Sequence, residues 1–282
     1  MRAFLWMSGA LLSFCLMAVG ARELAGAIST FQILFSRSVI GLVVVTLVIL
    51  QTRRTALFKT QRFSLHLGRN LFHFCGQYGW FVGIGLLPLA QVFALEFTTP
   101  LWTLIIACLF LKEALTLKKV AALLLGFVGV YLILNPGGEI VSPAALYVIV
   151  AAIFYSLSHV ATKALSATDD PLTVLFYMCA IQLPIGLLLG AGSFVWPTLL
   201  QWVWLTLIGL TALSAHFCIT HAMRSTEVSV VVTLDFLRLP LIAAVGVALY
   251  GEAFNPMLVL GASLMLVGNL INVYRPRAAR QP

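Results

Sequence analysis

The sequence predicts an all-α integral membrane fold: ten transmembrane helices arranged as two inverted five-helix repeats. Three observations predict it. Hydrophobic residues make up 61% of the 282 and charged residues only 9%, whereas a soluble domain carries about 25% charged residues to cover its surface. Apolar runs of about 20 residues, long enough to cross a hydrocarbon core as helices, recur from end to end. The second half also repeats the first. A shift of 139 residues carries Val92 to Val231, Leu95 to Leu234, Glu96 to Asp235, Phe97 to Phe236, Glu113 to Glu252 and Gly129 to Gly268.

The spans fall at about 3–20, 29–50, 68–87, 89–111, 119–136, 143–164, 172–192, 199–221, 227–250 and 256–274. The first repeat is expected over 1–136 and the second over 143–274, joined at Asn135-Pro136-Gly137-Gly138, a turn-forming stretch. Residues 275–282 form a basic tail. Five spans per copy is an odd number, so the second copy must enter the membrane from the opposite side. Such inverted repeats place a substrate site at the interface between the halves. Span 1 begins like a signal peptide, with Arg2, an apolar run and Ala18-Val19-Gly20. A shift of 141 matches Phe14 to Tyr155, Val19 to Val160 and Arg22 to Lys163. That internal counterpart argues that span 1 is retained.

The formal net charge is +8. In the ten-span arrangement, Lys and Arg at 14 positions (2, 53, 54, 59, 62, 69, 112, 118, 119, 163, 224, 275, 277 and 280) fall on one side, and only Arg22 on the other. This positive-inside bias puts both termini in the cytoplasm and accounts for the basicity without nucleic acid. The five cysteines all lie in apolar spans at spacings that fit no metal framework, and no cofactor is expected. Glycine pairs (Gly79 and Gly83, Gly186 and Gly190, Gly126 and Gly129, Gly261 and Gly268) mark close helix approach within the chain, or a homodimer contact.

The segment LEFTTPLWTLIIACLFLKEALTLKKVAALLLGFVGVYLIL and its echo LDFLRLPLIAAVGVALYGEAFNPMLVLGASLMLVGN resemble the paired EamA domains of the drug/metabolite transporter superfamily. The shared marks are an apolar helix ending in Lys112-Glu113 or Gly251-Glu252, a short turn, and a Gly-containing apolar helix. The resemblance covers nearly the whole chain. It implies ten helices in two inverted repeats, and secondary transport of a small metabolite across a bacterial inner membrane. Members of this kind include uptake systems for riboflavin and S-adenosylmethionine and exporters of amino acids.

Glu96, Asp235, Arg37 and Arg238 stand inside spans, where each exposed charge would cost about 2.5–3.5 kcal/mol, so they must face one another or a wet cavity. Span directions suggest an Arg37–Glu96 ion pair in the outer half, with Asp235 in the inner half sharing a helix face with Arg238. The functional reading is that Arg238 or Arg37 meets an anionic group on the substrate, and Glu96 or Asp235 a cationic group or a proton. The structural reading is a set of buried ion pairs that fix helix register. His73 and His159 are candidate proton relays. Gln77, Tyr78, Trp80 and Phe81 of span 3, with Tyr155 of span 6, offer stacking and hydrogen bonding that would suit a flat aromatic solute. Pro100 and Pro240 interrupt spans 4 and 9 near the acids. Glu113 and Glu252 read as turn residues.

These features fit a secondary transporter of a small polar or zwitterionic metabolite, or of a flat cofactor-like solute such as riboflavin or S-adenosylmethionine, working by alternating access and proton coupling. No Gly-x-x-x-x-Gly-Lys-Ser/Thr loop is present, so an ion gradient or the substrate's own supplies the energy. Rival classes are an intramembrane enzyme, for which no Gly-x-Ser-x-Gly or His-Glu-x-x-His motif is found, and a structural membrane-assembly factor.

Overall fold

The computed structural model describes residues 2–110, 116–134, 142–165, 167–225 and 234–273. The described residues contain helices and no strand: α1 (Arg2–Leu24), α2 (Thr30–Gln51), α3 (Phe63–Leu86), α4 (Leu89–Glu96), α5 (Thr99–Phe110), α6 (Leu117–Leu134), α7 (Pro143–Leu165), α8 (Pro171–Gly190), α9 (Leu199–Ser225), α10 (Arg238–Tyr250) and α11 (Pro256–Val273). Among the described residues, seven segments are long and apolar enough to cross a membrane, one of them, Leu89–Ile106, covering α4 and part of α5. Two shorter apolar helices lie at Arg238–Tyr250 and Pro256–Ile271. Residues 227–233 of predicted span 9, the predicted joint at Asn135-Pro136-Gly137-Gly138, Glu113 and the basic tail lie outside the described residues.

Local chemistry sets the helix starts. The Ser29 hydroxyl accepts the Gln32 N–H and caps α2. Asp170 caps α8 through the Leu172 N–H at 3.0 Å, with Pro171 at the first helical position, where its missing donor costs nothing.

Helices pack in pairs: α1 on α9, α3 on α7, α2 on α8, α6 on α11, and α4 on α10. Glycines let these pairs approach. A β-carbon at Gly79 would strike the Tyr147 carbonyl of α7, and one at Gly83 the Val148 side chain. Gly186 lies against the Phe35 backbone of α2, and Gly129 and Gly261 face each other's carbonyls between α6 and α11. Each predicted glycine pair is thus occupied by a helix of the same chain. The main core has Leu34, Ile84, Phe93, Leu95, Leu205, Ile208, Ile242 and Met265 buried in it, and a second cluster of Val45, Ile49, Leu175, Met178, Cys179 and Leu213 joins α2, α8 and α9.

α3 is not among the seven apolar segments. Its polar residues His66, Arg69, Asn70, His73 and Gln77 recur at helical spacing and are all buried. The helix is therefore polar toward the bundle and apolar toward its surface, where Phe63, Leu67, Leu71 and Phe72 are exposed. Outward-facing Val43, Leu47, Leu124, Leu188, Leu199 and Trp196 complete an apolar exterior suited to lipid.

Candidate functional site

Two helix breaks form the centre of the molecule. α4 ends at Glu96, the backbone turns through Phe97 and Thr98, and α5 resumes at Thr99. In the second half the helical residues Leu234 and Asp235 lead into a turn at Phe236 and Leu237, and α10 resumes at Arg238. Both breaks fall immediately after the acid. Pro100 and Pro240 sit just past them, in the first turn of the resumed helices, where proline removes no helical hydrogen bond.

The breaks meet. The rings of Phe97 and Phe236 stack with centroids 4.4 Å apart and planes 16° from parallel. Arg238 lies between the acids: its Nη2 donates to Asp235 Oδ2, and Nη1 stands 3.6 Å from Glu96 Oε1. Trp80 Nε1 donates to Glu96 Oε2 at 2.8 Å. The guanidinium also lies over the rings of Phe14, Phe97 and Phe93, 4.4, 5.0 and 5.5 Å from their centroids, a cation–π arrangement that favours the charged form. The Arg37–Glu96 pair expected from span depth does not form. Arg238 takes Glu96 because the two breaks bring α4 and α10 together, and the nearest side-chain partner of Arg37 is the Met178 sulfur at 3.8 Å.

The trio carries two negative charges and one positive. Its members keep 17% (Glu96), 22% (Asp235) and 5% (Arg238) of their side-chain surface, so the acids touch accessible space while the arginine is enclosed. Asp235 Oδ1 and Arg238 Nε and Nη1 have no hydrogen-bond partner among the described residues. Tyr155 and His159 of α7 also keep accessible surface. These partly accessible acids and rings are the surfaces a cargo could meet.

The other predicted residues divide. Phe81 is buried edge-on to Trp80 at 5.2 Å. Gln77 is buried with its Oε1 unpartnered among the described residues. Tyr78 turns away and stacks on Phe31 of α2 at 4.6 Å. His159 stacks on Tyr155 at 6.3 Å. His73 Nδ1 lies 3.0 Å from the Gln182 amide, and its ring faces those of His216 and Tyr155. Neither His73 nor His159 bonds to Glu96 or Asp235. Phe14, Phe97, Phe236 and Arg69 were missed as site residues. Phe14 was detectable as the repeat-mate of Tyr155, and the two phenylalanines as repeat-mates adjoining the acids.

Another group ties helices together at one end of the bundle. Gly251 adopts φ 63°, the left-handed conformation that glycine tolerates, and this turns Glu252 back toward α4. Both Glu252 oxygens accept the Leu89 N–H, at 3.0 and 2.9 Å, at the positive end of α4. Arg22 pairs with the same carboxylate at 3.0 Å and donates to the Leu87 carbonyl. At the opposite side Asp169 accepts from His66 and Thr60, both at 2.7 Å, linking α3, the following loop of α7 and the segment before α3. Burial alone would raise the Asp169 carboxyl, but these hydrogen bonds outweigh it and hold it below its ordinary range.

The model of the EamA-like transporter family matches residues 1–135 and again 142–274. The chain belongs to the EamA-like transporter family. It is similar to an S-adenosylmethionine uptake transporter of Rickettsia bellii (strain RML369-C), 24% identical over 274 residues, spanning 97% of this chain and 94% of that one. It is 32% identical over 207 residues to a riboflavin transporter of Rhizobium johnstonii, covering 73% of this chain and 68% of the relative. A solved crystal structure shares the fold with a TM-score of 0.68, at 21% identity and with 96% of each chain covered. This EamA-family chain is accordingly a multi-pass membrane protein of transporter type, with a small molecule as cargo.

Proposed function

We propose that this EamA-family protein is a secondary transporter whose cargo is a small zwitterionic metabolite carrying a flat ring, of the chemical kind of S-adenosylmethionine. The observation that carries the reading is the trio at the two helix breaks. Its formal charge is negative, Asp235 keeps 22% of its side-chain surface while its buried Oδ1 has no hydrogen-bond partner among the described residues, and Trp80, Phe97 and Phe236 supply aromatic rings around it. A cationic centre would be drawn to the acids and a flat ring to the aromatics. Arg238 holds the acids in place. Metal ions have no part in this reading.

The site sits between two inverted five-helix repeats, 1–136 and 143–274, that rock by alternating access. The helix pairing supports this division. The repeat shift converts α1 on α9 into α7 on α3, and it maps α2 on α8 and α6 on α11 onto themselves. Broken helices at matched positions in two halves are the usual makings of a midplane binding site. The protein lies in the bacterial inner membrane with both termini in the cytoplasm, and His73 and His159 lie within reach of a coupled proton.

A riboflavin-type cargo is the second reading, favoured by the 32% identity to a riboflavin transporter; the aromatic walls suit it, and the acids do not require it. Counterflow of labelled S-adenosylmethionine or riboflavin into proteoliposomes separates the two. The proposal expects saturable S-adenosylmethionine counterflow that Asp235→Asn abolishes at unchanged protein level. Riboflavin counterflow insensitive to that change would replace it with the second reading. Reporter fusions at both termini should read cytoplasmic, and a periplasmic C-terminus would overturn the ten-span topology.

A further inference from the structure

A second cluster of buried charge lies beside the trio and has the opposite sign. Arg37 on α2 and Arg69 on α3 are 5% and 4% exposed. The hydrogen-bond partners of Arg69 are all neutral: Thr162 Oγ1 at 3.1 Å and Asn70 Oδ1 at 2.6 Å. Arg37 has the Met178 sulfur. Met178, the partner of Arg37, stands one helical turn from Gln182 on α8, and Gln182 reaches the carbonyl of Asn70, the partner of Arg69; neither guanidinium has a carboxylate within ion-pairing distance among the described residues. His73 and His216 stand within range of both, with ring centroids 5.4 Å apart. Gln182 fixes His73 and reaches the Asn70 carbonyl.

A guanidinium keeps its proton when buried, so two full charges stand here with only neutral partners among the described residues, a site that an anion would stabilise. Register-fixing pairs would bring their own counter-ions, as Arg238 does. We propose that Arg37 and Arg69, flanked by His73, form an anion subsite that receives a carboxylate or phosphate group of the cargo. The proposal rests on the transporter reading given above and adds to it: the site has a negative pole at Glu96 and Asp235 and a positive pole at Arg37 and Arg69, so the cargo bears separated charges. Guanidinium forks match the geometry of both oxyanions.

The test uses the purified full chain in detergent, with inorganic phosphate, S-adenosylmethionine and decarboxylated S-adenosylmethionine as probes and thermal unfolding as readout. Phosphate also stabilises proteins by exclusion from their surface, so the measured quantity is the difference between wild type and variants. The expected result is a saturable phosphate shift that falls at least fourfold in Arg37→Met and in the Arg37→Met/Arg69→Met pair, and persists in Glu96→Gln. Arg37→Lys should retain part of it, and a monodisperse elution profile certifies each variant. An equal phosphate shift in wild type and Arg37→Met, or its loss in Glu96→Gln, would overturn the subsite. If S-adenosylmethionine is the cargo, its decarboxylated form should bind at least tenfold more weakly to wild type, with the difference gone in Arg37→Met. A phosphate response without any S-adenosylmethionine response would refute the cargo reading and leave the anion subsite standing.

Discussion

Arg238 and Arg37 are both buried in this bundle, 4% and 5% exposed, yet one is surrounded by two carboxylates and three aromatic rings and the other by a thioether. The difference separates two uses of a buried charge. Arg238 is compensated by the protein and holds two broken helices together. Arg37, like Arg69, is left to be compensated by something else. Removing the first should break the structure, and removing the second should relieve it.

The largest effect is therefore expected from Arg238→Met, which strands Glu96 and Asp235 as uncompensated acids. Breaking one partner from a buried ion pair costs about 3–5 kcal/mol, so thermal unfolding of the purified protein should fall steeply and transport should vanish. If Arg238→Met unfolds at the wild-type temperature, the trio is not a structural clamp. Next, Asp235→Asn keeps the shape and one hydrogen bond to Arg238 but removes charge from the accessible face. It should reduce transport by more than about tenfold, equivalent to about 1.4 kcal/mol, with nearly normal protein level. Arg37→Met should move the other way in stability: without ligand its unfolding temperature should equal or exceed that of wild type, while transport drops. A marked loss of stability would make Arg37 a structural residue and erase the contrast.

A smaller effect is expected at the end of the bundle. Glu252→Gln weakens the cap on α4 and the Arg22 pair, and should cost about 1 kcal/mol, the usual worth of a helix cap, read as a lower unfolding temperature. The smallest concerns pH. The Asp169 carboxyl is depressed in the folded protein, so its contribution is complete above the ordinary carboxylate range near 3.9 and is lost as pH falls through its lower folded value. The unfolding temperature of Asp169→Asn should differ from wild type at neutral pH and converge with it in acid.

Much of this was legible in the sequence. Apolar run length located the helices, and the 139-residue echo singled out Glu96 and Asp235 because a duplicated acid inside an apolar span has no reason to be there without a partner or a cargo. Which arginine meets Glu96 was not legible, since span depth is one coordinate and the partner is chosen by helix packing across the two halves. Arg69 was hidden for another reason. Counted among the cytoplasmic charges, it looked like part of the orientation signal, although His66, Arg69, Asn70, His73 and Gln77 recur at helical spacing and mark a polar face turned inward. Phe97 and Phe236 were visible as repeat-mates, but their stacking follows from a helix break that proline position alone places about one turn too late.

The most direct measurement of the two-pole site is equilibrium binding of S-adenosylmethionine to purified wild type, Asp235→Asn and Arg37→Met. The account predicts saturable binding to wild type, weakened at least tenfold by either change, with both variants folded. Unchanged affinity in both variants would place the cargo elsewhere and contradict it.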